Sequence, residues 1–306
     1  AATHRIAAAA VAGFRSTLDG LGFVEIHTPK IVPAATESGA NLFRLDYFGR
    51  PAYLAQSPQL YKQMMVGVFE RVYEVGPVFR AEPSDTARHL ASYTSLDAEL
   101  GFIDDHRDVI AACHAAVAGM LQAVAAGAAP SLRLLGVRMP VLPAEPVVVH
   151  FADVLAMISE ATGVDVTGEP DLAPAHERWI GEWARREHGS DFVFVEGYPT
   201  AHRAFYTHPD PHRPGYSRAI DLIFRGLELV SGGQRLHRHG DYVRVLTGRG
   251  ETDLSAYSGY LDAMRYGMPP HGGFAFGLER FVARLLEVSN VRQVTLFPRD
   301  LYRLVP

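Results

Sequence analysis

The constraint that most limits how this chain can fold is the way its short apolar runs follow one another. Phe192–Val195, Ala204–Thr207, Ala219–Phe224, Leu227–Ser231 and the glycine-rich 272–277 all read as strands, most of them joined by loops. Earlier, Phe23–His27, Ala52–Ala55, Arg71–Phe79 and Thr94–Phe102 carry the same pattern. Regular βαβ alternation is missing, so a parallel, doubly wound sheet is excluded. The pattern predicts an α+β fold, an antiparallel sheet with helices packed outside it. Helical spacing marks residues 5–22, a helix capped by Ser57 and running from Pro58 to Met65, an alanine-rich stretch over 106–126, and a last helix over Leu278–Leu286. The section from about 128 to 190 changes character: it holds Pro140, Pro143 and Pro146, then amphipathic segments near 151–161 and 172–187. It reads as a helical insertion within one domain.

A chain of 306 residues, 48% hydrophobic, is large enough for one such domain with an insertion. A net charge of −5 supplies no global basic field for nucleic acid, although a local basic face would suffice. The one cysteine, Cys113, excludes an intramolecular disulfide framework and any multi-cysteine zinc site, and reads as a small buried residue. Reducing cytoplasm is the expected compartment. No apolar run is expected to reach the roughly 20 residues that span a bilayer, and the start shows no signal sequence.

Chemistry concentrates in one block. Phe79-Arg80-Ala81-Glu82, then Arg88-His89, then Tyr93 to Asp97 bring together guanidinium groups, an imidazole, carboxylates and an aromatic ring. Arg280 follows much later, in Gly273–Arg280. Guanidinium forks suit polyphosphate because they stay charged and donate in a plane, and a ring beside them suits a flat base. The combination points to an ATP site without a phosphate-binding glycine loop. Glycines 272, 273 and 277 make no dinucleotide fingerprint, since no βαβ unit surrounds them.

Other segments are ambiguous alone. Gln59 and Lys62 share a helix face with Gln63 on the neighbouring turn, which taken alone reads first as a solvated surface and second as an anion site. Asp221, Glu228 and Ser231 on adjacent strands offer the oxygen ligands magnesium prefers, or form a routine surface hairpin. His202, His208, His212, His237 and His239 match no zinc spacing.

Read in order, these pieces resemble the three signature motifs of class II aminoacyl-tRNA synthetases, subclass IIb. The first is the helix leading to Phe23–Pro29, the second Phe79–Glu99, the third Gly273–Arg280. Tyr53–Gln63, Arg225–Glu228 with Gly232–Arg235, and Tyr266–Gly273 are similar to aspartyl-tRNA synthetases of the archaeal type. The likeness spans roughly residue 8 to Pro306. It implies that Arg80 holds the α-phosphate and Arg280 the γ-phosphate, with His89 near the pyrophosphate, Tyr93 stacked on adenine, and Glu82 and Glu228 completing the ATP site. It implies Mg²⁺ organised by Asp221, Glu228 and Ser231. Lys62 and Arg235 would clamp the side-chain carboxylate of L-aspartate, while Asp97, Gln59 and Glu37 receive its α-ammonium. Two cations there would suit aspartate better than asparagine.

The implied reaction is ATP plus aspartate to aspartyl-adenylate, then transfer to the 3′ end of tRNA, with tRNA for asparagine as a second acceptor left open. A homodimer through the first motif and contact with the tRNA acceptor end are further implications; a membrane partner is not expected. Ser92 stands where the family has glutamate, and Pro83-Ser84-Asp85 departs from its second-motif loop. The family also carries an N-terminal oligonucleotide-binding barrel of about 100 residues, expected to be absent here. The chain therefore reads as an excised catalytic domain, the alternatives being a free-standing paralogue that uses aspartyl-adenylate to make asparagine or modify another acceptor, and a regulatory domain that only binds.

Overall fold

In the computed structural model, residues 1–34, 42–83 and 86–305 are described. In chain order they form α1 (Ala2–Gly20), β1 (Val24–Glu25), β2 (Ile31–Val32), β3 (Arg44–Tyr47), β4 (Arg50–Leu54), α2 (Gln59–Phe69), β5 (Arg71–Phe79) and β6 (Ser92–Gly101). Then come α3 (His106–Gly127), α4 (Ala129–Leu135), β7 (Val148–His150), α5 (Phe151–Thr162), α6 (Pro174–His188), β8 (Phe192–Glu196), β9 (Ala219–Phe224) and β10 (Leu227–Gln234). Last are α7 (His239–Gly248), α8 (Ser258–Arg265), β11 (His271–Gly277) and α9 (Leu278–Leu285).

The main sheet runs β1-β5-β6-β11-β10-β9-β8-β7. Its six central strands pair antiparallel, and β1 and β7 add parallel edges. The expected antiparallel sheet flanked by helices is what forms. Alternation along each strand separates two faces. One row across the sheet, Val75, Leu96, Phe276, Val230, Leu222 and Phe194, is apolar throughout. It lies in the principal core with Phe14 of α1, Val117 and Met120 of α3 and Phe281 of α9. The next row, one residue along every strand, points the other way: Glu74, Asp97, Ala275, Ser231, Asp221 and Val195. This polar row is the floor of the site.

Several expectations are corrected. Ala204–Thr207 is not a regular strand: Thr207 makes an isolated antiparallel bridge to Arg235, with the His208 amide donating to the Gln234 carbonyl and the Leu236 amide to the Tyr206 carbonyl at the end of β10. Pro58, not Ser57, occupies the cap position of α2, and Ser57 Oγ accepts from the Gln59 amide at 3.2 Å. One helix, α3, does have the length and composition to cross a membrane. Its apolar side packs into the principal core against α1 and the sheet, the place of a core helix. Within 128–190, β7 joins the main sheet, and α5 and α6 cover its polar-side end through Phe151, Leu155 and Ile180 on Val193 and Val195.

Candidate active site

The polar row opens into a cavity of about 390 Å³, within the range usual for small-molecule sites. Its lining includes Arg80, Glu82, His89 and Tyr93 from the block between β5 and β6, Gln59 from α2, and Asp97 from β6. It also includes Glu228, Ser231 and Arg235 from β10 and its end, and Arg280 from α9. Eleven of the thirteen residues nominated from sequence are Arg80, Glu82, His89, Tyr93, Gln59, Lys62, Asp97, Glu228, Ser231, Arg235 and Arg280; ten of them line the cavity and Lys62 reaches Asp97 from beneath. Asp221 sits behind, and Glu37 lies outside the described residues.

Small residues make the floor. On the polar face β11 presents Gly273, Ala275 and Gly277, while Phe274 and Phe276 face the core. A Cβ at Gly273 would stand 2.0 Å from Glu99 Oε2 and 2.2 Å from the Ala98 carbonyl. Only glycine lets the Glu99 side chain lie across the strand.

At one end of the cavity four charges interlock. Lys62, 1% exposed, brings Nζ to 3.1 Å from Asp97 Oδ1 and 3.4 Å from Glu99 Oε2. Arg235 donates from Nε to Glu99 Oε1 and from Nη2 to the Gly273 carbonyl, both at 3.0 Å, and its guanidinium lies 5.2 Å from the Tyr206 ring centre. Ser95 Oγ donates to Asp97 Oδ2. Burial pushes the Glu99 carboxyl up, but Arg235 and Lys62 beside it outweigh that and hold it below the usual carboxylate range. The α2 segment is therefore no solvated face, as it could have been when read alone. Gln59 Nε2 donates to Gln63 Oε1 at 3.0 Å, and Tyr260 donates to the same oxygen at 3.2 Å. His271 Nδ1 faces the Pro269 carbonyl at 2.9 Å, so its Nε2 accepts from Gln63 at 3.0 Å. Burial lowers that imidazole to about 4, keeping it neutral. These bonds fix the Gln59 amide, which lines the cavity along with Asp97.

At the other end lies the cationic part. The Arg80 amide donates to the Ala91 carbonyl at 2.9 Å, and its guanidinium lies 5.8 Å from the centre of the Tyr93 ring. Arg280 Nη1 donates to the Glu228 carbonyl at 3.0 Å. His89 is held below its ordinary range by burial and then by Arg280, with Arg88 and Arg80 adding to the effect. It is neutral at pH 7 and pairs through Nδ1 with Thr86 Oγ1 at 2.5 Å.

Glu228 and Ser231 are three apart and by strict alternation would face opposite ways. A bulge between Glu228 and Val230 restores them to one face. Burial pushes the Glu228 carboxyl up to about 7, with Asp221 adding to the rise. Asp221 itself is taken by Arg203 at 2.9 Å, whose guanidinium stacks 3.7 Å from the Tyr198 ring centre. Among the described residues no group of three His, Cys, Asp or Glu side chains gathers as a metal site. Of the three nominated ligands, the Glu228 carboxylate and the Ser231 hydroxyl line the cavity, two oxygens that would suit magnesium if phosphates and water completed its shell.

Sequence reading missed Glu99, Arg203, Glu177 and Glu279. Glu279 accepts the Thr94 amide at 3.1 Å from the first turn of α9. Only Glu99 carried a signal: two positions after Asp97 in a strand, it had to share its face.

A family model described as tRNA synthetases class II (D, K and N) matches residues 2–301. The aspartate–tRNA(Asp/Asn) ligase of Thermus thermophilus is 49% identical over 302 residues, covering 99% of this chain and 70% of the relative. That of Aeropyrum pernix is 42% identical over 295 residues, covering 96% of this chain and 66% of the relative. Among solved structures, asparaginyl-tRNA synthetase from Pyrococcus horikoshii with asparaginyl-adenylate superposes at a TM-score of 0.92. It is 31% identical and covers all of this chain and 70% of that one.

Proposed function

The chain belongs to the class II tRNA synthetases of the D, K and N type, and from that premise we propose that it is the catalytic part of an aspartate–tRNA ligase. An oxygen of the aspartate α-carboxylate attacks the α-phosphorus of ATP, the bond to the β-phosphate breaks, and aspartyl-adenylate and pyrophosphate result. A ribose hydroxyl at the tRNA 3′ end then attacks the carbonyl and AMP leaves. The relatives from Thermus and Aeropyrum are named for both tRNA(Asp) and tRNA(Asn), and we extend that double range to this chain. The observation that carries aspartate is the buried quartet of Lys62, Asp97, Glu99 and Arg235 at one end of the cavity. Aspartate brings matching charges: its α-ammonium suits Asp97 beside Gln59, and its second carboxylate suits Arg235 with Lys62 behind. Asparagine would set a neutral amide against two cations.

Little proton transfer is required, so positioning and fixed charge supply the acceleration. In this proposal Arg80 stabilises charge growing on the α-phosphate, Arg280 and His89 orient the outer phosphates, Glu82 and Tyr93 receive adenine, and Glu228 with Ser231 would hold Mg²⁺. The ion would neutralise phosphate charge. A homodimer, which would pair two copies about a twofold axis, is also proposed, as is the cytoplasm, which the relatives from Caenorhabditis elegans and human carry in their names.

Pyrophosphate exchange tests the whole. Exchange should depend on aspartate, with asparagine giving under about 1% of the rate, and tRNA should then be charged without free ammonia being consumed. Exchange driven equally by asparagine would sink the proposal, and asparagine formed from ammonia would replace it with the paralogue. A pH profile follows from Glu228. Its carboxyl is neutral below about 7, so exchange should fall on the acid side with a midpoint near that value. Raising magnesium should move the limb to lower pH, because a cation favours the ionised carboxylate. A limb that ignores magnesium would remove Glu228 from the metal.

A further inference from the structure

A side chain of the helical insertion packs behind the cavity wall. Glu177 lies in the first turn of α6 and is buried. Its Oε2 accepts from the Glu228 amide at 2.8 Å and faces Arg88 Nη1 at 3.6 Å. Arg88 lines the cavity, as do Glu82 and His89, and Glu228 is the residue next to the bulge. A second contact fixes this geometry. One turn further along α6, a Cβ at Gly181 would stand 2.6 Å from the Gly226 amide nitrogen. Gly226 has φ of 73° in the turn between β9 and β10, and a Cβ there would meet Arg178 Cα at 3.0 Å. Helix backbone therefore lies on turn backbone, which neither partner would allow with a side chain. Residues 177 and 181 are four apart, so the same helix face that meets the turn sets Glu177 over the start of β10.

On the reading of this cavity as an ATP site, we propose that Glu177 is a positioning residue for the triphosphate: it ties the Arg88 loop to β10 and fixes the backbone that aims Glu228. One carboxylate oxygen from the insertion spans two walls of the site that are far apart in sequence. Arg88, 39% exposed at its side chain, would swing in solvent without that partner. The Glu228 carboxyl is faced by Asp221 from β9, Arg203 from the segment before it, Arg280 from α9 and Glu177 from α6.

Glu177→Gln keeps an oxygen for the Glu228 amide and loses the charge. In pyrophosphate exchange it should raise KM for ATP about fivefold, the scale of a part-exposed ion pair, and leave KM for aspartate unchanged. Arg88→Gln should raise KM for ATP alike, and adding it to Glu177→Gln should change little more. A role in folding alone would lower the melting temperature and leave KM for ATP unchanged. Wild-type KM for ATP in Glu177→Gln overturns the proposal, as does an equal rise in both KM values. Should Glu177→Gln not fold, a wild-type KM for ATP in Arg88→Gln overturns it. A wild type without aspartate-dependent exchange would remove the ATP reading and this proposal together; an active wild type with an indifferent Glu177→Gln removes this one alone.

Discussion

Arg80→Ala is expected to lower the rate of aspartyl-adenylate formation by about 10²–10³-fold while leaving the fold intact. The residue follows β5 and its amide donates to the Ala91 carbonyl at 2.9 Å, so its backbone is held by the two strands of the second motif. Its guanidinium, 5.8 Å from the Tyr93 ring centre, meets the wall proposed for adenine. A planar cation in that place can lie along the ring and still present a donor edge to phosphate. Charge grows on the α-phosphoryl oxygens as the carboxylate attacks, and a fixed donor aimed there contributes more in the transition state than in the ground state. The loss should therefore appear in kcat more than in KM. Arg80→Lys should recover little, because an ammonium is a point charge without the fork. Arg280→Ala should divide differently: proposed at the outer phosphates, it should raise KM for ATP more than it lowers kcat. Single-turnover adenylate formation, with melting temperature as control, separates the two. Arg80→Ala within tenfold of wild type would place the α-phosphate elsewhere.

Much of this was legible in the chain because strands sort residues by parity. Tyr93, Ser95, Asp97 and Glu99 share a face by spacing alone, and the glycines opposite them mark where backbone must come close. What parity could not reveal is the bulge at Leu229, since an extra residue leaves no mark in composition, and without it Glu228 and Ser231 fall on opposite faces. Pairs distant in sequence were equally hidden. Nothing near Arg203 signals Asp221, and nothing in the polar, amphipathic pattern of α6 singles out Glu177 from its neighbouring carboxylates. The loop at 204–207 has strand-like composition, and tertiary context overrode it, as a weak local preference allows.

Lys62→Met should act on stability and on substrate choice at once. The lysine is enclosed, and its ammonium faces Asp97, Glu99 and the Phe274 carbonyl at 3.1, 3.4 and 3.4 Å. Methionine fills similar volume, so packing survives, but two buried carboxylates then share one cation, Arg235. Breaking a buried pair from one side costs about 3–5 kcal/mol, much of it the charge left behind. The sign with pH is opposite in the two proteins. In wild type the Glu99 carboxyl is depressed, so its contribution is present above the unfolded pKa and is lost as pH falls through the folded value. In the mutant a carboxylate short of a cation is raised, so the penalty exists above the unfolded pKa and fades as pH falls. The stability gap between the two should thus narrow in mild acid. Aspartate activation should fall by about two orders of magnitude, and the preference over asparagine should shrink with it. The double change Lys62→Met with Glu99→Gln separates the two effects, because it matches one cation to one anion again. Stability should return while aspartate activation stays low. If activation returned as well, the pair would be scaffolding, and Arg235 alone would select the substrate.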